Sequence, residues 1–277
     1  MSNLLELTKQ YCAYQIDKNV QQLDFEFDAE RLRREIFKFI NANKFGFSSA
    51  SLRLPKGQTE YVTPRESLEA NGADAFFPKE KIGIQKNYDL DYEINRTPNK
   101  EYLYWHPSLE NSYVSTLVPE LEKLCGFNIG RIRLGWLRPD AGYPMHVDLE
   151  PLRLHIPIFT NDCAYIIHDH EIYNMKYGQL YHLITTKVHT AWNFGTLPRL
   201  HLVFSTYGDD QFEAEINKLT QIDNMKENLS VHLTKEFGAD SYGLTQLLYI
   251  ANTGYTGDTK SMIYEQLKTV IDFLPKN

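Results

Sequence analysis

Leu152-Arg153-Leu154-His155-Ile156-Pro157-Ile158 alternates aliphatic with other residues, and Arg199-Leu200-His201-Leu202-Val203-Phe204 repeats the device. Side chains on a strand project to opposite faces with a period of two. Each segment therefore predicts a strand with an aliphatic row on one face and an arginine and a histidine on the other. A charged row inside a sheet sandwich is costly to bury unless it meets a partner, so an anionic ligand between the sheets is one reading; a polar row turned to solvent is the other. Further short strands are predicted on either side, at 130–138, 145–149, 163–168, 180–184 and 189–193, alongside 152–159 and 199–205. Turn residues separate most of them, the pattern of a β-sandwich or double-sheet jelly roll.

Outside this run the periodicity changes. Leu23, Phe25 and Phe27 alternate with Asp24 and Glu26 as a half-buried strand, and Asp28 stands where a helix N-cap belongs. Leu32, Ile36, Phe39 and Ile40 share one face of the helix that follows, which Asn43 to Gly46 ends; Ala50, Leu52 and Leu54 then form a short strand. From 55 to 107 glycine and proline are dense and aromatic residues frequent, which favours an ordered covering layer that partly shapes a ligand site. Pro119 suits the first turn of a helix carrying Leu121 and Leu124 inward and stopping at Gly126. After Gly208 the stripes are helical again: Phe212, Ile216 and Leu219, then three more to Ile271. The predicted fold class is mainly β, with a jelly-roll domain and α/β lead-in over 1–208 and a helical cap over 209–277.

The chain has 277 residues and a formal charge of −7, which argues against nucleic acid as a partner, since such proteins present a basic footprint. No apolar run approaches the roughly 20 residues that span a bilayer. Three scattered cysteines support neither a disulfide framework nor a cysteine zinc site. A cytoplasmic protein acting on a small molecule or peptide is the expectation, with the oligomeric state open.

Seven of the nine histidines fall at 146, 155, 168, 170, 182, 189 and 201. His146-Val147-Asp148 sets an imidazole and a carboxylate on one face of a strand, and His189 supplies a third donor. Two histidines and one carboxylate form the facial triad that leaves positions open on a non-haem iron. Glu150 shares the parity of Asp148 and is an alternative ligand. His168 and His170 with His182 offer a second metal site, although packing roles are favoured for them, as for His106 and His232. Trp136 and Trp192 read as core before substrate platform.

In order and spacing, His146-x-Asp148, Arg153-Leu-His155-Ile-Pro157-Ile, Met175-Lys-Tyr-Gly178-Gln-Leu-Tyr, His189-x3-Asn193-x-Gly195 and Arg199-Leu-His201-Leu resemble the aspartyl/asparaginyl β-hydroxylase family, and the likeness extends over roughly residues 20 to 207. That family belongs to the Fe(II)- and 2-oxoglutarate-dependent dioxygenases, whose fold is a cupin-like double-stranded β-helix. The resemblance implies that His146, Asp148 and His189 hold iron. It also implies that Arg199 meets a 2-oxoglutarate carboxylate, that Arg153 and His155 lie beside the same cosubstrate, and that Asn193 supports the distal ligand. His201, on the strand of Arg199, joins this group. With O2, 2-oxoglutarate would be decarboxylated to succinate and an unactivated C–H bond hydroxylated. The substrate implied is an amino-acid side chain, peptidyl Asp or Asn; a free amino acid of the proline type is the rival. A cupin-type metal enzyme or a binding protein without 2-oxoglutarate are rivals of other classes, against which the Arg199/His201 row and the complete triad argue.

Overall fold

The computed structural model describes residues 2–43, 50–56, 99–139, 141–142, 150–168, 171–185 and 189–219. Two antiparallel sheets organise it. The larger has the order β1 (Val20–Leu23), β10 (Leu180–Leu183), β7 (Arg153–Phe159), β12 (Arg199–Tyr207), β5 (Asn128–Leu137), β2 (Ala50–Ser51); the smaller runs β6 (Ala141–Gly142), β11 (His189–Asn193), β8 (Ala164–His168), β9 (Glu171–Tyr173). A two-stranded ribbon joins β3 (Arg53–Leu54) to β4 (Tyr104–Trp105). β8 pairs with β9, β7 with β10, β6 with β11 and β5 with β12. The stretch from β5 to β12 is thus one long antiparallel hairpin, coiled so that its successive rungs fall in one sheet or the other. That is the jelly-roll, or double-stranded β-helix, architecture.

Strand register sorts the alternating residues. Leu202 lies opposite Ile156 and Leu134, and Phe204 opposite Leu154 and Ile132, which makes one continuous aliphatic face. Against it pack α1 (Ser2–Tyr11), α2 (Ala29–Asn43) and α3 (Tyr113–Cys125), and together they form one hydrophobic core. α2 begins where expected, because Asp28 caps it: its Oδ1 accepts from Arg31 N at 2.8 Å. Leu32, Ile36, Phe39 and Ile40 are buried on its inner face, each burial contributing about 1.5–3 kcal/mol.

Several expectations shift. The lead-in strand is Val20–Leu23, and the alternation of Phe25 and Phe27 continues past the last β1–β10 pair, between Leu23 and Leu180, into an unpaired stretch. Pro119 sits inside α3. The helix starts six residues earlier because Glu35 of α2 accepts from Tyr113 N through Oε2 at 2.6 Å, a cap supplied across the helix pair that no local pattern reveals. Gly126 does end α3, with φ at 78° and its N–H on Glu122 O. α1 and β9 are elements that the sequence pattern does not announce. The predicted strand at 145–149, most of the 55–107 segment and the tail after 219 lie outside the described residues.

At the end of β12 the chain enters α4 (Asp210–Leu219), where Asp209 Oδ1 accepts from Phe212 N at 2.8 Å. Phe212 is fully buried, edge-on to Tyr11 and Phe127 at 5.2 and 5.3 Å. The start of the tail therefore docks on the helical side of the large sheet.

Candidate active site

The other face of the large sheet is turned towards the small sheet, and it is polar. Arg153 and His155 of β7 and Arg199 and His201 of β12 are 4, 5, 4 and 2% exposed. The solvent-facing reading of this row is thereby excluded. Arg131, also buried, donates from Nε to Ser51 Oγ at 3.0 Å on the same side. Cations are thus gathered in the interior, where an uncompensated charge is expensive.

The charge of Arg153 is compensated from within. Glu150 Oε1 and Oε2 accept from Arg153 Nη2 at 2.8 Å and Nε at 3.2 Å, with both side chains buried. Such a two-pronged grip holds the Glu150 carboxylate on Arg153. Glu150 holds the Nε–Nη2 edge of the Arg153 guanidinium. The pair fixes the entry to β7 together with two hydroxyls: Thr185 Oγ1 donates to Glu150 O at 3.0 Å, and Leu152 N donates to Thr206 Oγ1 at 3.2 Å. Acid and base three apart across Pro151 is the only sequence signal of this pairing, and a weak one.

His155 and His201 face each other across β7 and β12, with Nδ1 to Nδ1 at 3.4 Å and the rings at 81°. The Nε2 atoms of both are buried with no hydrogen-bond partner among the described residues. Burial first, then the guanidiniums of Arg199, Arg153 and Arg133 and the ring of His189, hold His155 well below the ordinary imidazole pKa. Burial, then Arg199 and His155, do the same to His201. Both are neutral imidazoles near pH 7, and each directs an unused polar atom into a cationic interior.

His189 opens β11, buried, opposite His168 of β8, and the two rings stack with centroids 5.9 Å apart. His168 Nε2 bonds Ile184 O at 2.5 Å, which gives it a packing role. His182 is satisfied at both nitrogens, by Tyr14 Oη at 2.6 Å and Lys18 O at 2.8 Å. His106 packs edge-on to Phe39 and accepts from Ser108 N. Trp136 and Trp192 are core residues. The Asn193 amide is spent elsewhere than on His189: Nδ2 donates to Leu137 O, Arg138 O and Leu197 O, and Oδ1 accepts from Asn161 Nδ2 and Gly195 N, tying the two sheets at the β11–β12 turn. His146, Asp148, His170 and His232 lie outside the described residues. Among the described residues no three His, Cys, Asp or Glu side chains stand close enough to hold a metal. None of the described helices is long and apolar enough to cross a membrane.

Comparison with known proteins gives a family match over part of the chain. Residues 107–207 match the family model described as aspartyl/asparaginyl beta-hydroxylase. A search of curated proteins gave no match. Among solved structures the chain is similar to a 2OG-Fe(II) oxygenase family oxidoreductase from Burkholderia pseudomallei, with 13% identity, 74% of this chain and 89% of that one covered, and a TM-score of 0.37. A Pseudomonas putida prolyl-4-hydroxylase follows at 10% identity, 74% and 98% coverage and TM-score 0.35. The viral collagen prolyl hydroxylase of Paramecium bursaria chlorella virus 1, in its 2OG complex, stands at 10%, 69% and 97%, and 0.33. Likenesses this remote settle nothing about substrate.

Proposed function

We propose that this chain, whose residues 107–207 match the aspartyl/asparaginyl beta-hydroxylase family model, is an Fe(II)- and 2-oxoglutarate-dependent enzyme that hydroxylates an amino-acid side chain, peptidyl Asp or Asn, within the jelly-roll interior. The observation that supports it best is the buried inner face of the large sheet, where Arg199 stands beside two neutral histidines whose Nε2 atoms lack partners among the described residues. A dicarboxylate cosubstrate answers that arrangement: its anionic oxygens accept hydrogen bonds, and a guanidinium fork matches a carboxylate.

In this reading His146, Asp148 and His189 hold Fe(II), a donor set of the kind that leaves adjacent positions open. The bound metal supplies the oxygen chemistry, with O2 and 2-oxoglutarate as cosubstrates. The protein's part is positional. Arg199 neutralises and orients one carboxylate of 2-oxoglutarate, and His155 donates a hydrogen bond to an oxygen of the same molecule. Arg153, gripped by Glu150, holds β7 in place and contributes its field. The two sheets exclude water from these contacts, which strengthens each of them.

Anaerobic titration with Fe(II) and then 2-oxoglutarate tests the cosubstrate reading through the weak visible metal-to-ligand charge-transfer band. A protein that binds the metal and develops no such band is a cupin-type enzyme or a binding protein instead. The substrate is tested by succinate release in the presence of peptides carrying Asp or Asn; stimulation by free proline and not by the peptides moves the assignment to the free amino acid.

A further inference from the structure

The two inward histidines constrain each other. A neutral imidazole carries one proton on two nitrogens. With two Nδ1 atoms 3.4 Å apart, a single proton between them gains a hydrogen bond, whereas two bare nitrogens forgo it and two protonated ones set hydrogen against hydrogen. One proton therefore lies between them. The ring that donates it has a bare Nε2, and the ring that accepts it carries its own proton on Nε2. The pair consequently offers the cavity one donor and one acceptor, never two of a kind.

A carboxylate only accepts, so the ring that meets it must be the one protonated at Nε2. The surroundings single out His155 for that place. Arg199, Arg153, Arg133 and His189 all act on His155, whereas Arg199 and His155 act on His201. More of the cationic groups therefore act on His155 than on His201.

We propose that His201 is a positioning residue that works through His155: it donates Nδ1–H to the His155 Nδ1, so that the buried His155 Nε2 carries the proton that a cosubstrate carboxylate accepts. This rests on the 2-oxoglutarate reading above and deepens it. On this proposal His201 acts on the cosubstrate through His155 and not by direct contact.

The test is 15N NMR of histidine-labelled protein loaded with Zn(II), which is diamagnetic and does not turn over, before and after adding 2-oxoglutarate. Opposite tautomers are expected for the two rings without 2-oxoglutarate, and Nε2–H on His155 once it is bound. Affinity is read in parallel for two variants. His201→Leu removes the donor and should weaken 2-oxoglutarate binding by about tenfold, the size of one lost hydrogen bond to a charged group. His201→Asn places a side-chain amide N–H near the former Nδ1 and should recover most of that loss.

Like tautomers on the two rings, or Nδ1–H on His155 in the complex, overturn the proposal, and the wild-type spectrum decides the matter whether or not the Leu variant folds. If Asn is no better than Leu while both are folded, His201 touches the cosubstrate itself. If the wild type takes up no 2-oxoglutarate, the proposed function falls and the role of His201 with it. Binding that persists without the expected tautomer removes the role of His201 alone.

Discussion

His182 and His155 sit on adjacent strands of the large sheet, one on each face, and both are buried. On the helical face His182 has both ring nitrogens bonded, to Tyr14 and to the Lys18 carbonyl, and stacks on Tyr14 at 5.4 Å among aliphatic neighbours. On the inner face His155 bonds His201 and, among the described residues, leaves Nε2 unmet in a field of guanidiniums. The helical face is hydrophobic, and its buried His182 is satisfied within the chain. The inner face is polar, with polar atoms still to be met. Burial alone does not separate a packing histidine from a binding one; the completeness of its hydrogen bonding does.

The largest expected effect falls on the proposed metal ligands. His189→Ala, and likewise His146→Ala, should abolish iron-dependent succinate formation while the thermal midpoint moves little. Wild-type turnover in both would move the metal to other residues. On the helical face the pattern inverts. Leu202→Ala empties a fully buried site in the core and should cost about 2–5 kcal/mol in urea unfolding, with 2-oxoglutarate affinity of the folded protein unchanged. A fall in affinity to match would show that the two faces are mechanically coupled.

Arg199→Ala should weaken 2-oxoglutarate binding by about ten- to a hundredfold, corresponding to a charge-assisted contact of about 1.5–3 kcal/mol. Lys at 199 should recover only part, because it lacks the planar fork. Unaltered affinity would place the carboxylate elsewhere on the inner face. Tail truncation sharpens the same contrast. Since Phe212 is locked into the helical-face core, cutting after Asp210 should destabilise the fold, whereas cutting after 219 should spare it.

The smallest effect concerns pH. Burial lowers the His182 pKa to about 4, so the unfolded chain binds a proton at higher pH than the folded one. Its contribution is complete above about pH 6.5 and is lost as pH falls towards 4, the loss reaching about 1 kcal/mol by pH 5.5. Stability measured from pH 7.5 to 5 should therefore decline, and the slope should be shallower in His182→Gln. An identical slope in that variant would assign the acid sensitivity to other groups, the inner-face pair foremost.

Much of this is legible in the sequence. The alternation in β7 and β12 and the amphipathic stripe of α2 are local patterns, because a strand or helix writes its own period into the sequence. The clustering of seven of the nine histidines between 146 and 201, and the motif order that resembles the family, are equally local. What local pattern misplaces depends on a partner from elsewhere. Pro119 reads as a first-turn residue because the cap on α3 comes from Glu35, 78 residues earlier, and α1 escapes notice because its burial depends on the packing of α4 and α3.

The sequence by itself determined which residues alternate, and so which sets of side chains must share a face. Only the tertiary structure decided that the arginine–histidine rows of two strands turn inward together and not to solvent. It alone paired Arg153 with Glu150 and set His155 against His201, 46 residues apart in the chain. The physical reason is that period two leaves the choice of face undetermined, and register between distant strands, set by the packing of the whole hairpin and its helices, makes that choice.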